Sequence, residues 1–129
     1  MADINSFEEL PVWQHARGVC TDIFNLTQKE AFKRDFDLVR QIRRSSGSCM
    51  DNIAEGFERG GNKELIQFLF ISKGSIGETR SQLYRAYDYQ YITEVELSAY
   101  KLKCLELSKE LAGFIKYLKN SDYKGNKYK

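Results

Sequence analysis

His15 is the one histidine in this chain, and its three cysteines, Cys20, Cys49 and Cys104, stand far apart. No Cys-x-x-Cys pair exists, so spacing and inventory together exclude a Cys/His zinc site. An odd number of cysteines cannot pair fully within one chain, and each falls on an apolar stripe. Free, buried, reduced thiols in a reducing compartment are expected. A di-iron bundle needs Glu-x-x-His pairs on inward faces, and a lone His15 supplies none. Four-helix nucleases with an Arg followed closely by His are excluded too, because no His follows any Arg here. There is no phosphate-binding Gly-rich loop between a strand and a helix, no nucleophile elbow and no Cys–His dyad. The stretch Gly74-Ser75-Ile76-Gly77 lies inside a helical heptad, where no phosphate loop forms. These absences predict a protein that is not an enzyme and needs no metal or cofactor.

Charge offers a different chemistry. From Lys29 to Arg44 six cations stand against Glu30, Asp35 and Asp37, and from Lys116 onward five lysines stand against Asp122. Lys33, Arg34, Arg40, Arg43, Lys116 and Lys119 are therefore candidates for neutralising nucleic-acid phosphates. The competing reading is a solvated face and a frayed terminus. The isoelectric point of 8.4 falls below the value of ~9 at which a nucleic-acid footprint is persuasive. A second polar set, Arg44, Ser48, Asn52 and Glu55, recurs at spacings that share one helix face. It can be a solvated stripe, but Ser48 and Asn52 are poor choices for an exposed helix interior and point to close packing.

The elements that must position these groups are helices. The chain has 129 residues, 42% hydrophobic and 29% charged, with a single proline, a balance suited to one soluble domain over residues 1–129 and unsuited to turn-rich β architectures. No apolar run approaches the ~20 residues of a membrane span. The first ten residues carry acids and no apolar stretch, so a signal peptide is not expected and a cytoplasmic location is. Four segments have helical periodicity, over about 10–28, 35–59, 62–90 and 94–119, with a mobile tail from 120 to 129.

In the first segment Trp13, Ala16, Cys20, Ile23 and Thr27 form one face, with Val12, Val19, Phe24 and Leu26 beside it. In the second, Phe36, Val39, Ile42, Ser46, Cys49, Ile53 and Phe57 point inward behind a cap at Asp35 or Asp37. The small run Ser45 to Ser48 there is tolerated if another backbone comes close. The third, capped by Asn62, has the cleanest heptad: Leu65, Leu69, Ser72, Ile76, Thr79, Leu83 and Ala86. Thr93-Glu94-Val95-Glu96 is a capping box opening the fourth, whose stripe is Cys104, Ser108, Leu111, Ile115 and Leu118, with Leu102, Leu105, Leu107 and Phe114 beside it. Short links between such helices predict an all-α, antiparallel, up-down-up-down four-helix bundle.

Arg44-x₃-Ser48, Asn52-Ile53-Ala54-Glu55-Gly56, Arg59 and Gly74-Ser75-x₂-Glu78 together resemble the "four helix bundle protein" family, also called the 23S rRNA intervening-sequence protein family. Val12-Trp13-Gln14-His15-Ala16 and Gln41-Ile42-Arg43-Arg44 fit the same pattern, and the resemblance runs from about Phe7 to Leu118. The sequence departs from it at Ser45, where Ala is usual, at Cys49, where Ile is usual, and in lacking a proline between the first two helices. The resemblance implies a bundle that assembles as a ring-shaped homopentamer, encoded within inserts in 23S rRNA genes. A related protein, the accessory variability protein of diversity-generating retroelements, is a basic pentameric barrel that binds nucleic acid and a reverse transcriptase. The molecular role of most members is unknown.

Two functions follow as expectations. The first is a non-catalytic, nucleic-acid-associated scaffold whose basic stretches are multiplied by assembly, with RNA, DNA or a nucleic-acid enzyme such as a reverse transcriptase as partner. The second is a protein-interaction scaffold using Tyr84, Tyr87 and Tyr91, whose spacings also suit a core or subunit interface. The apolar residues beside the stripes of the first and fourth helices exceed what one core hides and predict self-association. If the second and third helices turn at Gly60-Gly61, facing residue numbers sum to about 122. That register sets Arg44 against Glu78 as a partly buried pair, and Ser48 against Gly74 at a close approach.

Overall fold

The computed structural model describes residues 4–123. Among these the chain forms helices and no strand. A 3₁₀ turn, Phe7–Glu9, leads into α1 (Pro11–Leu26), and a single turn, α2 (Glu30–Lys33), precedes three long helices: α3 (Phe36–Glu58), α4 (Asn62–Asp88) and α5 (Glu94–Tyr123).

Local chemistry accounts for most of the boundaries. Pro11 opens α1, where its missing N–H is no loss. The Gln14 side-chain amide donates to the Glu8 carbonyl at 2.8 Å, and the Phe7 ring meets the Trp13 ring edge-on at 5.1 Å. These contacts fold the 3₁₀ turn back onto the helix. Asp35 caps α3 by accepting the Leu38 N–H at 3.0 Å. Gly60, at φ 87°, reverses the chain after α3 in a left-handed conformation that other residues adopt only with strain. The cap of α4 is Gly61 rather than the expected Asn62, which is the first helical residue and lies buried, donating to the Leu118 carbonyl at 3.4 Å. The capping box of α5 forms: Thr93 Oγ1 accepts the Glu96 N–H at 3.1 Å, and Glu96 accepts the Thr93 N–H at 2.8 Å. That helix continues to Tyr123, past the expected start of the tail, and residues 124–129 lie outside the described residues.

The inward heptad of α4 is buried throughout, from Leu65 to Ala86. It meets Ile42, Cys49 and Ile53 of α3 and Cys104, Leu107, Leu111, Ile115 and Leu118 of α5 in one core. Side-chain pairs fix the direction of packing. Ser45 bonds Thr79, Ser48 bonds Ser75, and Ser72 donates to the Cys49 carbonyl, so residue numbers rise along α3 as they fall along α4. His15 with Glu110 and Asp22 with Lys103 give the same opposed order for α1 and α5.

Several expected placements change. Val12, Val19 and Leu26 are buried in this chain's own core, while Phe24 is 45% exposed beneath the Arg43 guanidinium. Leu107 joins the core, while Leu102 is 54% exposed. Phe36, expected inward, is 75% exposed. It lies on the outer stripe of α3 with Arg40 and Arg44, turned away from the α4 seam. The turn α2 has no counterpart in the periodicity, because one turn is too short to show any. It is held by Phe32, which is fully buried and stacks on Tyr91 at 5.4 Å.

The close approach expected at Gly74 occurs at Gly56 instead. A Cβ at Gly56 would stand 2.6 Å from Phe68 Cβ and 3.1 Å from Leu65 Cδ1, whereas one at Gly74 meets nothing within 4 Å. Phe68 Cβ is fixed to its backbone, so the helices themselves must move to admit a methyl group. Gly56→Ala should therefore destabilise the fold by about 1–3 kcal/mol through overpacking. Gly74→Ala should stabilise it by up to about 1 kcal/mol through helix propensity. Urea-unfolding midpoints of the two variants test the contrast, and a Gly56→Ala protein as stable as the parent would contradict the tight α3–α4 contact.

Candidate nucleic-acid interface

The residue facing α4 at the middle of α3 is Ser45, not Arg44. Ser45 is buried and donates to Gln82 Oε1 at 2.7 Å, with Thr79 Oγ1 also at 2.7 Å. Gln82 in turn donates to Glu78 at 3.3 Å. One residue along a helix is a rotation of about 100°, which places Arg44 and Glu78 on the outer edges of the seam. The expected register is present, but the expected pair is not. Glu78 is exposed, and Arg44 makes no ion pair or side-chain hydrogen bond among the described residues. The rest of the polar motif is local. Ser48 bonds Ser75 at 3.0 Å, Asn52 donates to the Ser48 carbonyl at 2.8 Å, and Glu55 pairs with Arg59 at 2.8 Å on the surface.

Arg44 belongs to an exposed stripe with Phe36 and Arg40. Phe36, Val39, Arg40, Arg43 and Arg44 line an open concavity of about 560 Å³ to which no carboxylate contributes. Arg43 is anchored: its Nε donates to Thr27 Oγ1 at 2.9 Å, and its guanidinium lies over the Phe24 ring at 4.3 Å. Arg40 reaches Asp37 only at 3.8 Å. Asp35, the other nearby acid, is engaged on both oxygens. Its carboxyl is held below the usual range by the Leu38 N–H and also accepts the Tyr91 hydroxyl at 2.9 Å. That same bond raises the Tyr91 hydroxyl above its ordinary value. Further along the stripe the sign reverses, through Gly47 to the exposed Asp51, Glu55 and Glu58.

The other basic candidates are dispersed. Lys33 pairs with Glu30 at 3.0 Å, and Arg34 is exposed beside it. Lys116 is exposed near the far end of α5, where Lys119 lies over the Phe70 ring at 5.2 Å. That end of α5 adjoins the start of α4, roughly 30 Å from the Arg40–Arg44 cluster across the length of α3. The chain thus carries two separate basic regions. The aromatic member of the first, Phe36, is hidden from sequence reasoning because its spacing to Val39 makes it look inward. Its place immediately after the cap Asp35 was the available signal.

A second concavity, of about 470 Å³, lies between α1 and α5 along Gly18, Val19 and Leu107. It is bridged by His15–Glu110 at 2.6 Å and Lys103–Asp22 at 2.6 Å. Among the described residues no group of His, Cys, Asp and Glu is placed to hold a metal ion. The cysteines are free; burial pushes Cys49 up to about 12 and Cys104 to about 11, and also raises Cys20. All three are protonated thiols at neutral pH rather than nucleophiles. No described helix is long and apolar enough to cross a membrane.

Elements, seam and surface describe an all-α helical bundle protein. The family model of the 23S rRNA-intervening sequence protein matches residues 8–113, and the chain belongs to that family. A solved structure of a protein with unknown function from the S23 ribosomal protein family of Bacteroides thetaiotaomicron superposes with a TM-score of 0.74. It is 24% identical, and the match covers 81% of this chain and 98% of that one; this likeness establishes the fold alone. No curated protein matches the sequence.

The seam and the stripe respond differently to substitution. Ser45→Ala should cost about 1–3 kcal/mol, because it leaves the buried Gln82 Oε1 without its donor, while Thr79 Oγ1 keeps the Ser75 carbonyl at 3.1 Å. Arg44→Ala should change stability by less than about 0.5 kcal/mol, as expected for an unpaired surface residue. Chemical denaturation of each variant checks both. A loss of several kcal/mol for Arg44→Ala would restore the pairing with Glu78.

Proposed function

We propose that this protein is a non-catalytic scaffold that holds the backbone of RNA or DNA. The observation that carries this reading is the concavity where Arg40, Arg43 and Arg44 converge without a carboxylate in its lining. Guanidinium groups so placed neutralise phosphates bidentately and release counterions, which gives affinity without base readout. The family is named for its place in 23S rRNA genes, and the resemblance to the retroelement accessory protein makes a nucleic-acid enzyme such as a reverse transcriptase a further candidate. The protein works in the cytoplasm on this reading.

The scaffold is an up-down-up-down antiparallel bundle that assembles with copies of itself as a ring, for which five is the number the family resemblance implies. Support for assembly comes from the outer faces of α4 and α5, where Phe70, Ile71, Tyr84 and Leu102 are exposed. The same residues favour the second reading, a protein-interaction scaffold without nucleic acid. Tyr84 and Tyr87 lie exposed, while Tyr91 is partly buried against Phe32.

Two measurements test these readings. Oligonucleotide binding should fall by orders of magnitude between about 50 and 200 mM salt. Arg40→Gln with Arg44→Gln should remove it, while Lys116→Gln with Lys119→Gln leaves it largely intact. Arg43 is left in place because it ties α3 to Thr27. Absence of binding to either nucleic acid at low salt would leave the protein-scaffold reading. For assembly, light scattering at micromolar concentration should return several times the protomer mass of 15.0 kDa; a monomer mass would refute it.

A further inference from the structure

Building on the nucleic-acid reading above, we infer that the α3 concavity takes unpaired nucleotides, with a base stacked on the Phe36 ring and flanking phosphates held by Arg40 and Arg44. A surface that bound only a phosphate backbone would need the arginines and nothing else. Here a phenyl ring, 75% exposed, stands in the lining of the same concavity as three guanidinium groups. Leaving such a ring in water is unfavourable by the apolar area it exposes, and its position after the Asp35 cap fixes where it stands.

A nucleobase offers the flat apolar face that covers it, and only an unpaired base has that face free. Duplex presents its bases edge-on in grooves, with their faces stacked on one another. Charge complementarity selects a polyanion, and the ring selects a polyanion with accessible π-faces. An acidic peptide meets the first condition alone.

A second platform lies at the same end of the bundle. The Tyr89 ring meets the Tyr91 ring edge-on at 5.8 Å, and the Tyr91 hydroxyl reaches the Asp35 carboxylate next to Phe36. Tyr89 is exposed. An exposed ring beside guanidinium groups, as at Phe36, is the arrangement that single-strand binders use, where stacking is tolerant of sequence and phosphate contacts supply salt dependence.

The test measures anisotropy of labelled dodecamers, a single-stranded oligothymidylate, the matched duplex and an oligoglutamate peptide, at 50 mM salt. The single strand should bind most tightly. Phe36→Ala should weaken it about tenfold or more while leaving duplex affinity and the salt slope unchanged. Phe36→Trp should restore the affinity and report stacking directly, since its indole emission should be quenched on binding. Because Phe36 is a surface residue, loss of folding does not confound the result, and thermal denaturation confirms this. Equal affinity for duplex and single strand, equal affinity for the oligoglutamate, or a Phe36→Ala protein unchanged toward the single strand would each overturn the inference. In that last case, loss of binding in Arg40→Gln with Arg44→Gln would still uphold the backbone-binding function. A wild-type protein that binds neither oligonucleotide would overturn both.

Discussion

Hydroxyl groups at the α3–α4 seam set how closely these two helices approach, and the rest of the bundle is arranged around that distance. Ser45, Ser48, Ser72, Ser75 and Thr79 fill the contact with small polar side chains that bond one another or the opposite backbone. A seam of leucines would hold the axes further apart. Small residues admit close approach, and each buried hydroxyl then requires a partner, which only one axial register supplies. At the Gly56 end the approach tightens until even a methyl group has no room. The register in turn determines which side chains are left facing outward, Arg44 and Glu78 among them.

The parts of this architecture that were legible in the sequence are those governed by repetition. The heptad of α4 is long enough for its period to be unambiguous, and every one of its positions is buried. The Thr93 capping box was legible because its chemistry is contained within four residues. The Arg44–Glu78 pair was misjudged because register and rotation are separate quantities. Counting from the Gly60-Gly61 turn gives the level of each residue but not the angle at which it leaves the helix. The turn α2 was invisible because a single turn has no period. Its anchor, Phe32, is buried through a partner, Tyr91, that lies 59 residues away in the chain.

The candidate site was legible in its charges and illegible in its shape. Runs of Lys and Arg can be counted, and Arg40 and Arg43 are both in the concavity that the fold creates. The counting could not show that Lys33 is neutralised by Glu30, that Arg43 is tied to Thr27, or that Lys116 and Lys119 stand at the other end. Arg44 was within the count, but its motif context pointed to a structural pair rather than to phosphate. The aromatic component depends on one residue standing at a helix start rather than one turn inside it.

The reversal of sign along the outer stripe of α3 constrains geometry in a further way. A polyanion laid parallel to the helix axis would leave Arg40 and Arg44 and, about two to four turns further on, run into Asp51 and Glu58, with Glu55 between them paired to Arg59. Attraction at one end would then be offset by repulsion at the other, at separations comparable to the Debye length and so only partly screened. The favourable path is transverse, with the strand crossing α3 near its beginning. On the proposed nucleic-acid reading each chain would have a short footprint, and a long strand would be followed by passing sideways from one copy to the next.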